Sequence, residues 1–309
     1  MLHLFELTPT KRHAVLNLIQ QVTLFDGAPP IAEHTLLHLR HGGDKKDSHL
    51  VIYEDNDLGK KVIGYAHLDQ TDLVAGPSVE LIVDPYYRNQ DVAKELLTKA
   101  IEVCGVRLRL WVHNQTDDTH LLTQYFNFEK IRSVLQMSKE QGEVITLPAL
   151  DPTIIIRSYL PGIDDTAWLD LNNTVFKDHP EQGNWSLKDL KTRINEEWFD
   201  QTGFFIAELN QKMIGSAWCK IHGDHTHDHA GGKHNHPAIG ELYITAVDQR
   251  FRGQQIGRAL TITVLNYLKY RGLASVMLYV DEENLAAVSL YKSLGFEQSG
   301  KDLMYRLKS

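Results

Sequence analysis

The chain has 309 residues, a formal charge of −8, only two cysteines, and an ordinary globular balance of 42% hydrophobic and 23% charged residues. That length fits two domains of about 150 residues each, and two cysteines give no disulfide framework. The negative balance argues against a general nucleic-acid or anionic-membrane surface, and no apolar run reaches the roughly 20 residues of a membrane span. The opening MLHLFELTPTKRH lacks the charged-then-apolar layout of a signal peptide, so a cytoplasmic protein is expected.

In chain order, residues 2–7 read as a strand and are followed by a helix to about Leu24. Residues 50–53 and 62–67 read as a hairpin around Asn56-Asp57-Leu58-Gly59. Val83-Asp84-Pro85-Tyr86-Tyr87-Arg88 then leads into a helix with Val92, Leu96, Ala100 and Cys104 on one stripe, stopped at Gly105. A strand over 108–112 comes next, and Leu147-Pro148-Ala149-Leu150-Asp151-Pro152 reads as a linker.

From Thr153 the same order returns: a strand over 153–160, a helix from Asp164 to about Phe176, and a hairpin of 204–209 with 213–220 around Asn210-Gln211. Ile63-Gly64-Tyr65-Ala66 matches Ile214-Gly215-Ser216-Ala217, and Asn127-Phe128 falls where the second half has Gly295-Phe296. A repeat of 150 to 165 residues is too long for a solenoid and reads as domain duplication. Domains over 1–147 and 153–309 are expected. Each should be an α/β (α+β) unit with a central mixed, largely antiparallel sheet flanked by helices.

The stretch Glu241 to Arg258, ELYITAVDQRFRGQQIGR, carries the strongest chemical signal. A buried strand gives way at Asp248 to a turn, and Arg252, Gly253, Gln254, Gln255, Ile256, Gly257 and Arg258 open a helix on which Ile256, Leu260, Val264 and Leu268 recur every four residues. Amides at such a helix start have no intrahelical acceptor and the dipole favours anions, so a pyrophosphate is the natural guest. The spacing is neither a P-loop nor a dinucleotide fingerprint, and it resembles the acyl-CoA loop of the GNAT N-acetyltransferase superfamily, with Gln255 where a glycine is usual.

Duplication allows the halves to be compared. Acetyl transfer needs a base for the ammonium nucleophile and an acid for the departing thiolate. At the offset of 164 that sets Val247 on Val83, Glu241 corresponds to Pro77, and with Phe296 on Phe128, Tyr291 corresponds to Thr123. Asp91 and Ala93 fall in the first half's phosphate loop, where a carboxylate disfavours a pyrophosphate. The second half is therefore the catalytic candidate, and the resemblance implies Glu241 as base and Tyr291 as acid.

Other groups carry weaker signals. His179 to Ser186, HPEQGNWS, reads as a polar loop with an exposed Trp185, and Asn284 as a cap of the helix 285–293. His222, His225, His227, His229, His234 and His236 fall in a Gly- and Asp-containing stretch that reads as a flexible loop, prone to adventitious metal but not a required metal site.

With these residues in place, the whole chain resembles the mycothiol synthase family of tandem-GNAT acetyltransferases. The most specific pieces are His179-Pro180-Glu181-Gln182-Gly183, Trp218-Cys219-Lys220, Gly240-Glu241-Leu242-Tyr243, Leu278-Tyr279-Val280-Asp281 running into Asn284, and Asp26-Gly27-Ala28-Pro29-Pro30 leading to Glu33. The resemblance implies transfer of acetyl from acetyl-CoA to the cysteinyl amine of a cysteine–glucosamine–inositol conjugate. It places Thr245, Ala246 and Val247 along the pantetheine arm, and Arg252 to Arg258 on the pyrophosphate. Asn284, Leu285, Ala286, Ala287, Val288 and Ser289 would line the cofactor, and Glu33, Glu181, Lys220 and Tyr279 would hold the thiol-sugar amine. In the first half, Leu81, Ile82, Val83, Arg88, Asn89, Gln90, Asp91, Val92 and Ala93 mark a second acetyl-CoA position, which Asp91 and Ala93 put in question. No metal cofactor, nucleic acid or membrane partner is implied, and a monomer is expected. The alternatives are a GNAT enzyme acting on an aminoglycoside, a polyamine or a protein N-terminus, and a non-catalytic acyl-CoA sensor.

Overall fold

Local chemistry sets the first elements. The Thr8 hydroxyl accepts from the Lys11 amide at 3.4 Å and Pro9 supplies the first helical residue. The computed structural model describes residues 1–43, 46–56, 59–72, 75–88, 90–113, 117–177, 179, 182–223, 225–229, 232–236 and 238–308. After Leu2–Leu4 (β1), helix Pro9–Asp26 (α1) buries Val15, Leu18, Ile19 and Val22 and stops at Gly27, whose φ of 73° is left-handed. A second helix that the sequence pattern does not announce, Glu33–His41 (α2), follows. Then come Asp47–Asn56 (β2), Gly59–Asp69 (β3), Ser78–Val83 (β4), Val92–Cys104 (α3), Arg109–Val112 (β5), Asp117–Tyr125 (α4) and Phe128–Glu140 (β6).

The second half runs Ile154–Ser158 (β7), Asp165–Val175 (α5), Leu187–Ile194 (α6), Phe204–Leu209 (β8) and Lys212–His222 (β9). Ser186 and Asp189 form a capping box at α6. Asn210 and Gln211, with φ of 50° and 64°, make the tight turn between β8 and β9. His225–His229 (β10) and Gly232–His236 (β11) pair as a hairpin, with His225 opposite His236 and His227 opposite His234. The histidine-rich stretch is therefore not the irregular loop expected: its alternating residues suit paired strands. Ile239–Val247 (β12), Ile256–Tyr270 (α7), Ser275–Asp281 (β13), Leu285–Ser293 (α8) and Glu297–Leu307 (β14) complete the chain.

The chain divides into two compact units, each the mixed α+β layer expected. Residues 1–135, 281–283 and 300–309 form the first, and 136–280 with 284–299 form the second. In the first unit β1, β2, β3 and β4 pair antiparallel, β5 joins β4 in parallel, and β14 pairs antiparallel with β5, setting Leu303 opposite Val112 and Tyr305 opposite Leu110. In the second unit β7, β8, β9 and β12 pair antiparallel and β13 joins β12 in parallel. The end of the chain thus completes the first unit's sheet. Conversely the end of β6 serves the second unit, where Lys139 Nζ donates to the Leu294 carbonyl at 2.8 Å and the Gln141 amide to that of Ala274 at 2.7 Å. Among the described residues no helix is long and apolar enough to cross a membrane.

Leu303 and Tyr305 are buried in the core of the first unit. Leu303→Ala should cost about 2–5 kcal/mol. Hydrogen exchange should quicken at the β5 amides, Arg109–Val112, and leave those of β8 and β9 protected. The reverse pattern would assign β14 wrongly.

Candidate active site

The site of the second unit begins where two parallel strands stop pairing. β12 and β13 match only at Gly240–Val276, Glu241–Met277 and Leu242–Leu278, although both strands continue. On its other edge β12 stays paired with β9 to Val247. The register shifts between Leu242 and Ile244, so Tyr243 is a bulged residue, and its ring packs beside Trp218 and Trp198 at 5.3 and 5.4 Å. A bulge adds twist and turns the strand from its neighbour. Thr245, Ala246 and Val247 therefore run along β12 without β13 beside them in the ladder, and a ligand can take the place of a strand there.

The turn after Val247 presents further amides. The Asp248 carboxylate accepts from the Arg250 amide at 3.0 Å and pairs with the Arg250 guanidinium. Gly253 has φ of 80°, and Gln255, at the N-cap of α7, is left-handed at φ 63° without a side-chain cap. First-turn amides of α7 thus point outward with the positive end of the helix dipole behind them. Arg252, Gln254 and Gln255 are exposed there, Ile256 is anchored in the core, and the Arg258 guanidinium donates to Ser293 Oγ at 2.8 Å. Asn284 caps α8 as expected, accepting from the Ala287 amide at 3.3 Å.

Glu241 is only 7% exposed, lies opposite Lys220 across the β12–β9 ladder, and its Oε2 is 2.7 Å from His222 Nε2. Lys220 Nζ stands over the Trp198 ring at 4.6 Å and the Tyr243 ring at 5.7 Å. Tyr291 on α8 is buried, and burial pushes its phenol up to about 12 while the Thr245 hydroxyl opposes the shift. It stays protonated at neutral pH, with a proton to give. Burial first, then the Asp200 charge, pushes the Cys219 thiol up to about 12, so it is a poor nucleophile. Tyr279 is 41% exposed on β13. Glu33 opens α2 in the first unit, and Glu181 lies outside the described residues.

The expected exposed indole is not there. Trp185 is buried, 5.7 Å from the Trp168 ring, with the Arg193 guanidinium 3.9 Å above it. Its segment folds back on α5: Asn173 accepts from the Trp185 amide at 2.9 Å and Asn172 donates to the Gln182 carbonyl at 2.8 Å. A Cβ on Gly183 would meet the Phe176 carbonyl oxygen at 2.6 Å, so only glycine fits this turn.

The first unit repeats the parting of strands. β4 and β5 match at Ser78–Arg109, Val79–Leu110 and Glu80–Trp111 and then separate, leaving a cavity of about 640 Å³ whose walls include Leu81, Ile82, Val83, Arg88, Asp91 and Ala93. Arg88 is tied to Asp26 in a two-pronged ion pair at 2.9 and 2.5 Å, and Asp91, left-handed at φ 58°, pairs with Lys94 at 2.7 Å. Asn89 lies outside the described residues, Gln90 is exposed, and Val92 belongs to the core. Strand register corrects one expectation. The bulge at Tyr243 makes Ser78, opposite Asp69, the counterpart of Glu241, opposite Lys220, rather than Pro77. A serine hydroxyl, like proline, is no base for an ammonium group.

His113, also at the cavity, lies 3.0 Å from Asp302 and 3.7 Å from Glu80. Burial pulls its imidazole down, but the hydrogen bond to Asp302 and the charges of the two carboxylates outweigh this and hold it well up, at about 10. A histidine raised in the fold contributes stability that is complete below its ordinary range and is lost as pH rises through the folded value. Wild-type melting temperature should therefore fall from pH 7 towards pH 10 more steeply than that of His113→Gln; equal slopes would refute the ion triad.

A model of the acetyltransferase (GNAT) family matches residues 168–296, and one of an acetyltransferase (GNAT) domain matches 45–130. The chain is 40% identical to the mycothiol acetyltransferase of Acidothermus cellulolyticus over 97% of its own length and 92% of the relative's. It is also 40% identical to that of Thermobispora bispora, over 97% of each chain. Among solved structures, a GCN5-related N-acetyltransferase from Sphaerobacter thermophilus gives a TM-score of 0.67 at 19% identity, covering 99% of this chain and 94% of the other. A tandem GNAT protein from the clavulanic acid biosynthesis pathway gives 0.69 at 15%, covering 95% and 93%. At such identities these structures support the fold alone.

Proposed function

The chain belongs to the mycothiol acetyltransferase family and is an acetyl-CoA-dependent N-acetyltransferase, and from that premise we propose that its second unit acetylates the cysteinyl amine of a cysteine–glucosamine–inositol conjugate to give mycothiol. One observation carries the reading: β12 parts from β13 immediately after Glu241 and Leu242, so a buried carboxylate stands at the mouth of the gap. The pyrophosphate rests on amides from Gly253 to Gly257 and on the Arg252 and Arg258 charges. The pantetheine arm lies along Thr245, Ala246 and Val247 in place of the missing strand, and residues 284–289 border it.

The amine is protonated in water, so Glu241 first takes its proton, directly or through one water, while His222 holds the carboxylate in place. The free amine attacks the thioester carbonyl, and a β12 backbone N–H takes up the developing oxyanion charge. As the C–S bond breaks, the Tyr291 hydroxyl gives its proton to the CoA sulfur, and the amine's second proton restores the phenol through solvent. Neither a covalent enzyme intermediate nor a metal enters these steps, and holding two substrates together supplies much of the rate. Lys220 and Tyr279 would orient the polar sugar end, Lys220 fixed over Trp198. The first unit's cavity would hold acetyl-CoA more weakly, because Asp26 neutralises Arg88 and Asp91 sits at the helix start.

Glu241→Gln should lower kcat by ~10²–10⁴ while leaving KM for acetyl-CoA within a few-fold, since the carboxylate acts on the amine. Tyr291→Phe should also lower kcat, and mass spectrometry during turnover should find no acetylated enzyme. Substrate choice is tested by following free CoA with acetyl-CoA and a panel of amines. The cysteinyl glucosamine–inositol should give by far the highest kcat/KM; an aminoglycoside or polyamine turned over equally well would overturn the assignment.

A further inference from the structure

The two units differ most where the second has its aromatic core. There Phe204 lies opposite Trp218 on β8 and β9, with the rings stacked 4.5 Å apart. The corresponding cross-strand pair of the first unit is His49 opposite His67, with ring centroids 5.5 Å apart. Around it stand His34 and His38 of α2, Asp47 at the start of β2, and Asp69 and Glu80. A hydrocarbon core has been replaced by imidazoles and carboxylates, of which Asp47, His67 and Glu80 are buried and the others partly so. Asp47 and His67 are each 2% exposed.

Hydrogen bonding leaves this layer incomplete. Neither ring nitrogen of His67 has a hydrogen-bond partner, although the side chain is almost fully removed from water. A buried polar group without a partner loses its hydration and receives nothing back. His38 Nδ1 lies 3.0 Å from Asp47 Oδ2, and His38, Asp47 and His67 each offer one ligand atom within 4.8 Å of the others. Four-coordinate zinc keeps its ligand atoms about 3.4 Å apart, so small side-chain rotations would close the set. Burial also lowers the pKa of His67, favouring the neutral imidazole that binds metal. Two imidazoles and one carboxylate suit a borderline divalent ion, whereas magnesium and calcium prefer oxygen alone.

We infer that His38, Asp47 and His67 bind a zinc-class divalent ion that serves the first unit as a structural cross-link. Water, or His34 with its ring 5.0 Å from that of His38, completes the coordination. The ion ties α2 to β2 and β3 and so fixes the helix that Glu33 begins. His38, 28% exposed at its side chain, gives the ion an entry. This role is independent of acetyl transfer and of the histidine-rich hairpin.

That hairpin can take up metal by itself, so the test starts from full-length, untagged protein with His225, His227, His229, His234 and His236 all changed to Ala. After chelator dialysis the chain is titrated with Co²⁺, reading visible ligand-field bands and metal per chain. One tightly held Co²⁺ is expected, and His38→Ala and Asp47→Asn should each weaken it by at least ~100-fold. Zn²⁺ should raise the melting temperature of the parent and leave that of both variants unmoved, with circular dichroism confirming that they are folded. His38 is partly exposed, so its variant reports on the metal even if Asp47→Asn unfolds. Absence of stoichiometric Co²⁺ in the parent, or undiminished binding in His38→Ala, would overturn the inference.

Discussion

Two parallel strands that cease to pair after three residues set the terms for the rest of this molecule. A strand needs partners for its backbone on both edges, and β12 keeps only one of them beyond Leu242. The Tyr243 bulge turns the strand aside, and its ring and hydroxyl, the latter accepting from Arg193 Nε at 2.9 Å, hold the distortion against a packed aromatic cluster. The turn at Asp248 and the bare first turn of α7 continue the same theme of backbone groups without intramolecular partners. Their succession along β12, the turn and α7 is why we propose this edge as the seat of acetyl-CoA, an extended, phosphate-ended molecule.

Duplication isolates what this constraint does and does not decide. The first unit keeps the three-residue match, the parting and a cavity of the right kind. It lacks a carboxylate opposite the position of Lys220, and near the start of α3 Arg88 and Lys94 are already engaged by Asp26 and Asp91. Shape persists where charge has changed. Beneath the sheet, too, the aromatic packing of one unit becomes a histidine and aspartate layer in the other, on the same backbone.

Much of this was legible in the sequence because short-range physics controls it. The β12–turn–α7 segment, the Asn210-Gln211 turn and the Asn284 cap follow from residues a few positions apart. What escaped depends on distant partners. Residue 303 pairs with residue 112, and no local pattern announces such a match. A single bulged residue moved the counterpart of Glu241 from Pro77 to Ser78, since a constant offset cannot register an insertion on one strand. Trp185 reads as exposed among polar neighbours, yet Asn172 and Asn173 fold its segment over α5. Helix α2 is rich in histidine, a weak helix former, and shows itself only through its buried Thr35, Leu37 and Leu39. Sequence spacing groups His222 with the hairpin histidines, although the strand pairing of β9 and β12 sets it beside Glu241.

The central claim is that the gap beyond Leu242 is a seat for acetyl-CoA. A crystal structure of the Glu241→Gln protein with acetyl-CoA tests it most directly. The pyrophosphate should lie on the amides between Gly253 and Gly257, with the thioester beside Ala246 and within reach of residue 241. A cofactor bound elsewhere, or β13 closed onto Thr245–Val247 with the cofactor present, would contradict the account.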